Sequence, residues 1–242
     1  MIETPPQTET FPPVLPTEKS FVRTLVGVAY ANRIPAVGLQ SVALFLLWSY
    51  HFWPAARAAL GQMALLKQNS GLGFAFVASA FASALLPLVL QTLQQGAHRR
   101  MVIGALPAAI VFWGLRGCLT DLFYSLQSAV WGNNALPLTI AIKVFCDLAI
   151  FTPCLSVPVV VLFFSWLDGD LRHSFREGAA AWWLREVWPL VRAAWVVWLP
   201  ALMVIYALPT NLQFPISVLI QCFWTLFLVV LTDKGRTASS AA

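Results

Sequence analysis

Charged residues are scarce in this chain. Asp, Glu, Lys and Arg make up 10% of its 242 residues, whereas a soluble domain contains about 25%. Hydrophobic residues make up 59%, and the mean hydropathy is +0.75. This composition excludes an ordinary soluble domain and predicts a polytopic integral membrane protein.

Sequence motifs for catalysis, metal binding and nucleic-acid binding are also missing. The chain has 3 scattered histidines, 4 cysteines without a CxxC pair, and no P-loop, dinucleotide fingerprint or Gly-x-Ser-x-Gly elbow. Its basic residues flank apolar segments and form no stripe with exposed aromatics. We therefore expect no enzymatic activity, no catalytic, cofactor or metal site, and no nucleic-acid partner. An intramembrane aspartyl protease is the weaker alternative, because each embedded acid has a base nearby.

The chain divides into one membrane domain and two polar tails. Residues 1–19 lack the basic and apolar regions of a signal peptide and predict a disordered tail. Residues 20–232 predict a single transmembrane helical domain, and residues 233–242 a C-terminal tail.

Apolar segments of spanning length recur along this domain. They predict six hydrophobic helices, over residues 35–54, 71–93, 101–127, 137–167, 193–208 and 214–231. The first is the most polar, and whether it spans fully stays open. In residues 171–192, charged residues, mostly Arg, alternate with Trp and other apolar residues. This pattern is typical of an amphipathic helix at the membrane interface. The predicted fold class is an all-α, polytopic membrane helix bundle of about six hydrophobic helices plus one interfacial helix.

The placement of Lys and Arg predicts the orientation in the membrane. With six spans and an internal N-terminus, eleven of the 15 bases lie inside, and only Arg57 and Lys67 lie outside. Arg116 and Lys143 fall within spans. Such an asymmetry is typical of the positive-inside rule, so we expect both termini on the cytosolic or matrix side.

Four ionisable residues interrupt the two long apolar segments between residues 101 and 168: Arg116, Asp121, Lys143 and Asp147. A charge at the bilayer centre costs about 2.5–3.5 kcal/mol on an insertion scale, so each is expected to have a partner. If the segments fold back at residues 131–134, Asp121 lies at the depth of Lys143, and Arg116 at that of Asp147. The sequence thus predicts two ion pairs within a helical hairpin.

Small residues recur at every fourth position of the preceding span, at Ala75, Ser79 and Ser83. This spacing places them on one helix face. Such faces let two helices approach closely in lipid. We therefore expect this span to pack against the charged hairpin.

Several stretches over residues 99–232 resemble the Mpv-seventeen/peroxisomal membrane protein family. The hairpin segment from Lys143 to Asp147, with the proline that follows it, is similar to the family's Lys…Asp-Gln…Pro helix, and later stretches are similar to its Trp-Pro…Asn-Trp-x-x-Trp-Pro signature and its Val-Pro…Trp ending. The signature positions are Pro153, Trp188, Pro189, Trp195, Trp198, Pro200, Pro209 and Trp224. Leu148 stands at the family's Gln, and Leu199 is an extra residue, which is typical of a divergent member such as a bacterial one.

The resemblance implies a small multi-pass protein with a channel-like role for small solutes and no established enzymatic activity. It favours the cytoplasmic membrane of a bacterium, or a mitochondrial inner or peroxisomal membrane in a eukaryote. Two functions stay open: a channel lined by the charged hairpin, or a structural or assembly factor whose ion pairs only fix helix register. The expected partners are the lipid bilayer and small solutes or ions, and both functions are compatible with a homo-oligomer.

Overall fold

The structure, a computed structural model, describes residues 33–89, 99–167, 169, 176 and 178–223. Within these ranges every regular element is helical. The two predicted tails, residues 1–19 and 233–242, lie outside the described residues. So does the end of the predicted last span, residues 224–231.

Seven helices follow one another in the described ranges. They are α1 Arg33–Phe52, α2 Pro54–Ser70, α3 Leu72–Val89, α4 Arg99–Trp131, α5 Pro137–Leu167, α6 Ala179–Ala207 and α7, residues 210–223. By length and composition, α3, α5, α6 and the part of α4 from Ala105 to Trp131 can each cross a membrane. The predicted all-α membrane bundle is confirmed.

The predicted boundary between residues 192 and 193 is wrong. Helix α6 runs unbroken from Ala179 to Ala207. A π-helical turn at Trp183–Val187 leads into Pro189, whose missing N–H would otherwise interrupt the helix. Twenty-nine residues at about 1.5 Å each reach about 43 Å, the thickness of a bilayer with its headgroups. From Ala179 onward, the Trp- and Arg-rich stretch is therefore the first part of a long apolar helix.

The segment between the first two predicted spans is helical in the structure. No helix was predicted for residues 55–70, but Pro54–Ser70 forms a helix of 17 residues, α2. Helix α1, Arg33–Phe52, lies close to the predicted first span, residues 35–54. It packs on α6, where Gln40 Nε2 donates a hydrogen bond of 2.7 Å to the carbonyl of Val197. Whether α1 spans the bilayer stays a prediction.

Helices α3 and α4 approach each other closely along the small-residue face. Ala75 is fully buried. A Cβ atom added to Gly117 would lie 2.6 Å from the Ala75 carbonyl oxygen and would overlap the Ser79 side chain. Only glycine fits at this contact. The predicted packing of the small-residue face against the charged hairpin is confirmed.

Helices α4 and α5 form the predicted antiparallel hairpin, with stacked aromatic rings across the interface. The rings of Phe112 and Phe163 lie 3.9 Å apart, and those of Phe123 and Phe151 lie 4.3 Å apart. The midpoint of each pair in sequence falls near Pro137. The hairpin is therefore centred at the start of α5 and not at residues 131–134.

Helix α7 closes the bundle against α6 and α3. Ile205 of α6 and Ile216 and Ile220 of α7 are fully buried in one apolar cluster. Phe214 meets Phe74 of α3 edge to face, with ring centroids 6.4 Å apart. Helices α3 to α7 thus surround a common interior.

Candidate functional site: a polar cavity among five helices

A cavity of about 350 Å³ lies between α3, α4, α5, α6 and α7. Its volume is at the lower end of the range of about 300–1,000 Å³ that is typical of small-molecule pockets. Apolar residues form part of its wall, but ten polar side chains also line it. They are Ser79, Ser83, Arg116, Thr120, Tyr124, Asp147, Thr152, Ser156, Ser217 and Gln221. A cavity with one base, one acid and several hydroxyl groups can hold water or a small polar solute.

Arg116 extends from the middle of α4 into this cavity. Its Nη2 donates a hydrogen bond of 2.6 Å to Ser156 Oγ on α5. Its guanidinium carbon lies 5.3 Å from the centre of the Trp113 ring, a cation–π contact. Its Nε is buried and has no hydrogen-bond partner among the described residues. The guanidinium is thus held in place, with donor capacity left over.

Asp147 lies at the first residue of a π-helical stretch in α5 and accepts hydrogen bonds on both oxygens. Tyr206 Oη of α6 donates to Oδ2 at 2.8 Å, and Thr152 Oγ1 donates to Oδ1 at 3.3 Å. Gln127 Nε2 of α4 donates in turn to Tyr206 Oη at 2.5 Å. Three helices therefore fix the position of this carboxyl group at the cavity wall.

The predicted ion pair between Asp121 and Lys143 is wrong. Asp121 pairs with Lys67 of α2, at 3.0 Å between Nζ and Oδ1. Lys143 Nζ donates to Ser128 Oγ at 3.3 Å and lies 5.9 Å from the centre of the Tyr206 ring. The reason is the register of the hairpin, which places Asp121 near the level of Phe151 on α5.

The predicted ion pair between Arg116 and Asp147 is also wrong as a direct contact. The same shift in register brings Arg116 opposite Ser156. Both charged groups nevertheless line one cavity. Of the four charges singled out in the sequence, the structure therefore brings two together at this cavity and places the other two, Asp121 and Lys143, in contacts of their own.

Pro153 is buried in the same π-helical stretch of α5 and cannot donate a backbone hydrogen bond. In a π-helix each backbone N–H bonds to the carbonyl five residues earlier, so Pro153 leaves the carbonyl of Leu148 without a backbone donor. Trp195 Nε1 of α6 donates to that carbonyl at 2.8 Å. Trp183 Nε1 of α6 donates to the carbonyl of Pro153 at 3.3 Å. Two tryptophans of α6 thus donate to backbone carbonyls of this stretch, and Trp195 compensates for Pro153.

Most of the remaining signature positions lie in α6. Trp188 and Pro189 lie early in α6, where the Trp188 ring meets Trp195 edge to face at 5.4 Å. Trp198 lines the cavity. Pro200 lies exposed in α6 and Pro209 just before α7, while Trp224 lies outside the described residues.

Sequence reasoning missed three residues that the site depends on. Tyr206, Gln127 and Ser156 were grouped with the apolar spans, yet all three are buried and bond to the charged groups or to each other. The signal was available, because a polar side chain inside an apolar span needs a partner.

Replacing Trp195 with Phe should leave the Leu148 carbonyl without its donor. We expect a loss of about 1 kcal/mol in the free energy of unfolding, the usual value of one hydrogen bond. In a Pro153→Ala background the same replacement should cost less, because an alanine at this position supplies a backbone N–H. Unfolding of the four proteins of this cycle in detergent micelles measures both values. Equal costs in the two backgrounds would show that the tryptophan does not compensate for the proline.

No protein-family model, curated protein or solved structure matches this chain. Membership of the family that the sequence resembles stays a prediction. The described residues contain no group of three or more His, Cys, Asp or Glu side chains that could hold a metal ion.

Proposed function

We propose that this protein provides a path for small polar solutes across its membrane, as the resemblance to the Mpv-seventeen type of membrane protein implies. The proposal rests on the polar cavity that the five helices α3 to α7 enclose. Four of the five helices around it, α3 to α6, are long and apolar enough to cross a bilayer. In spanning segments, polar and charged side chains that face a common interior are typical of solute and ion pathways.

The composition of the cavity wall supports a small, polar solute. Hydroxyl groups of Ser83, Thr120 and Ser217 come from three different helices. Such groups replace part of a solute's hydration shell without binding it tightly, which conduction requires. A volume of about 350 Å³ fits a small metabolite.

A structural or assembly role is the second candidate, and the contacts of the other charges favour it. Lys67 and Asp121 satisfy each other, and Lys143 is buried against Ser128 and the Tyr206 ring. Buried polar contacts of this kind can serve only to fix how helices align. These residues do not line the cavity, so their contacts are explained by helix alignment without any solute path.

Solute flux through proteoliposomes discriminates the two candidates. Purified protein in liposomes loaded with a panel of small solutes should release them faster than protein-free liposomes do. Replacing Ala194 with Trp would fill the cavity from α6 and should lower the protein-dependent rate at least tenfold. Replacing Ala141, which is exposed on α5 away from the cavity, with Trp is the matched control and should leave the rate unchanged.

A wild-type protein that folds but releases no solute faster than empty liposomes would favour the structural role. Release that Ala194→Trp leaves unchanged would exclude this cavity as the path.

A further inference from the structure

We infer that Arg116 binds the carboxylate group of a small organic acid inside the cavity. This inference rests on the proposed function and names the class of solute that the path takes. It rests on three observations. The guanidinium has unused hydrogen-bond donors, Asp147 is bonded to other residues, and apolar side chains form part of the cavity wall.

The guanidinium has unused donors in a buried place. Of its five N–H groups, one has a side-chain acceptor among the described residues, Ser156 Oγ. Nε is buried and has no acceptor there. Because a buried donor without an acceptor costs about 1–3 kcal/mol, and more when it is charged, a ligand that supplies oxygen atoms is strongly favoured.

Asp147 does not take the place of that ligand in the structure. It lines the same cavity, but its two oxygens accept from Tyr206 and Thr152 and it makes no direct ion pair with Arg116. The Tyr206 hydroxyl is in turn held by Gln127. The carboxyl group is thus bonded to its own helix and to α6, and it supplies no acceptor to the unused donors of the guanidinium.

The charge balance favours a carboxylate over a phosphate. With Asp147 in the same cavity wall, a monoanion adds one negative charge to the site, whereas a dianion adds two and is repelled more strongly in a medium of low dielectric constant. The planar fork of an arginine also matches the two oxygens of a carboxylate. The Trp113 ring lies beside the guanidinium in a cation–π contact, which helps to hold the group in place.

The rest of the cavity fits a short apolar chain attached to that carboxylate. Val157 and Val160 continue along α5 from Ser156, and Leu190 and Val197 of α6 lie on the wall as well. A short-chain acid could place its carboxylate at Arg116 and its alkyl chain along these residues. Apolar walls with a few fixed polar groups are the usual composition of a small-molecule site.

Equilibrium binding of butyrate tests the inference. The full-length protein in lipid nanodiscs is titrated calorimetrically with butyrate, with n-butanol as the uncharged analogue and with inorganic phosphate, and empty nanodiscs correct for partition into lipid. We expect one saturable site for butyrate and at least tenfold weaker binding of n-butanol and of phosphate. Arg116→Gln should lower the butyrate affinity at least tenfold, and Arg116→Lys should lower it less.

If the Arg116 variants do not fold, a second measurement on the wild-type protein tests whether butyrate binds at Arg116. Phenylglyoxal modification of arginines is read by mass spectrometry of peptides, with and without butyrate. We expect butyrate to protect Arg116 and to leave Arg57, which is exposed on α2, unprotected.

Three results would overturn the inference: no saturable butyrate site, an affinity that Arg116→Gln does not change, or phosphate binding as tightly as butyrate. These results are distinct from failure of the proposed function. If butyrate binds at Arg116 but no solute crosses the membrane, the carboxylate site is supported and the proposed path is rejected. If uncharged solutes cross but no carboxylate binds, the path is supported and the carboxylate site is rejected.

Discussion

Replacing Asp121 with Asn is expected to lower the free energy of unfolding by about 3 kcal/mol, because it leaves the Lys67 ammonium without its partner inside the bundle. The Asp121 side chain is 7% exposed and that of Lys67 is 18% exposed, so both ends of the pair are largely shielded from solvent. Removing one partner of such a pair costs about 3–5 kcal/mol, and the partial exposure of Lys67 places this case at the lower end.

The double replacement Asp121→Asn with Lys67→Gln should recover most of that loss, since no uncompensated charge remains. Thermal unfolding of the purified proteins in micelles measures the coupling, which we expect to be about 2 kcal/mol. The matched control is the cycle of Asp121→Asn with Lys143→Met, which should be additive because these residues do not pair. Coupling in the Lys143 cycle and additivity in the Lys67 cycle would support the hairpin register predicted from the sequence and contradict the register observed in the structure.

Replacing Tyr206 with Phe should be almost as damaging, with an expected loss of about 3 kcal/mol in the free energy of unfolding. The hydroxyl group donates to Asp147 and accepts from Gln127. Its removal therefore leaves two buried polar groups short of a partner, and a hydrogen bond to a charged group is worth about 1.5–3 kcal/mol. Thermal unfolding in the same micelles measures the effect.

Thr152→Val is a milder variant for comparison with Tyr206→Phe. It removes only the longer hydrogen bond to Asp147, at 3.3 Å, and should cost about 1 kcal/mol. If Thr152→Val proved more damaging than Tyr206→Phe, Tyr206 would not be the principal partner of the carboxyl group. A Gln127→Leu replacement in the Tyr206→Phe background should recover part of the loss, because the orphaned amide is then absent.

Most of the helices could be predicted from the sequence because they are long runs of apolar residues. Helix α2 was missed because it is polar, and the start of α6 was misplaced because its first turns contain charged residues. The hairpin of α4 and α5 was predicted because both of its helices are such apolar runs. Its register was not, because it depends on the five residues between the helices and on the stacking of Phe112 on Phe163 and of Phe123 on Phe151. A shift of the hairpin centre from residues 131–134 to Pro137 is enough to exchange every predicted partner.

Part of the candidate site could also be predicted. Arg116 and Asp147 stand out as charges in apolar spans, and both line the cavity. The role of Lys67 was missed because α2 is polar enough to resemble a surface connection. Tyr206 was missed because a tyrosine is common in apolar helices, and only the packing of α6 against α4 and α5 brings its hydroxyl group to Asp147.

The cavity must be in contact with water if it is a path for polar solutes, and the reactivity of a single cysteine tests this directly. In a protein without Cys118, Cys146, Cys154 and Cys222, a cysteine at Ala194 in the cavity wall is exposed to a membrane-impermeant thiol reagent, with a cysteine at Ala141 on the outer face of α5 as the control. We predict that the cysteine at position 194 reacts in the folded, membrane-embedded protein, far faster than the one at position 141. If neither reacts until the protein is denatured, the cavity is closed to water and cannot be a path for polar solutes.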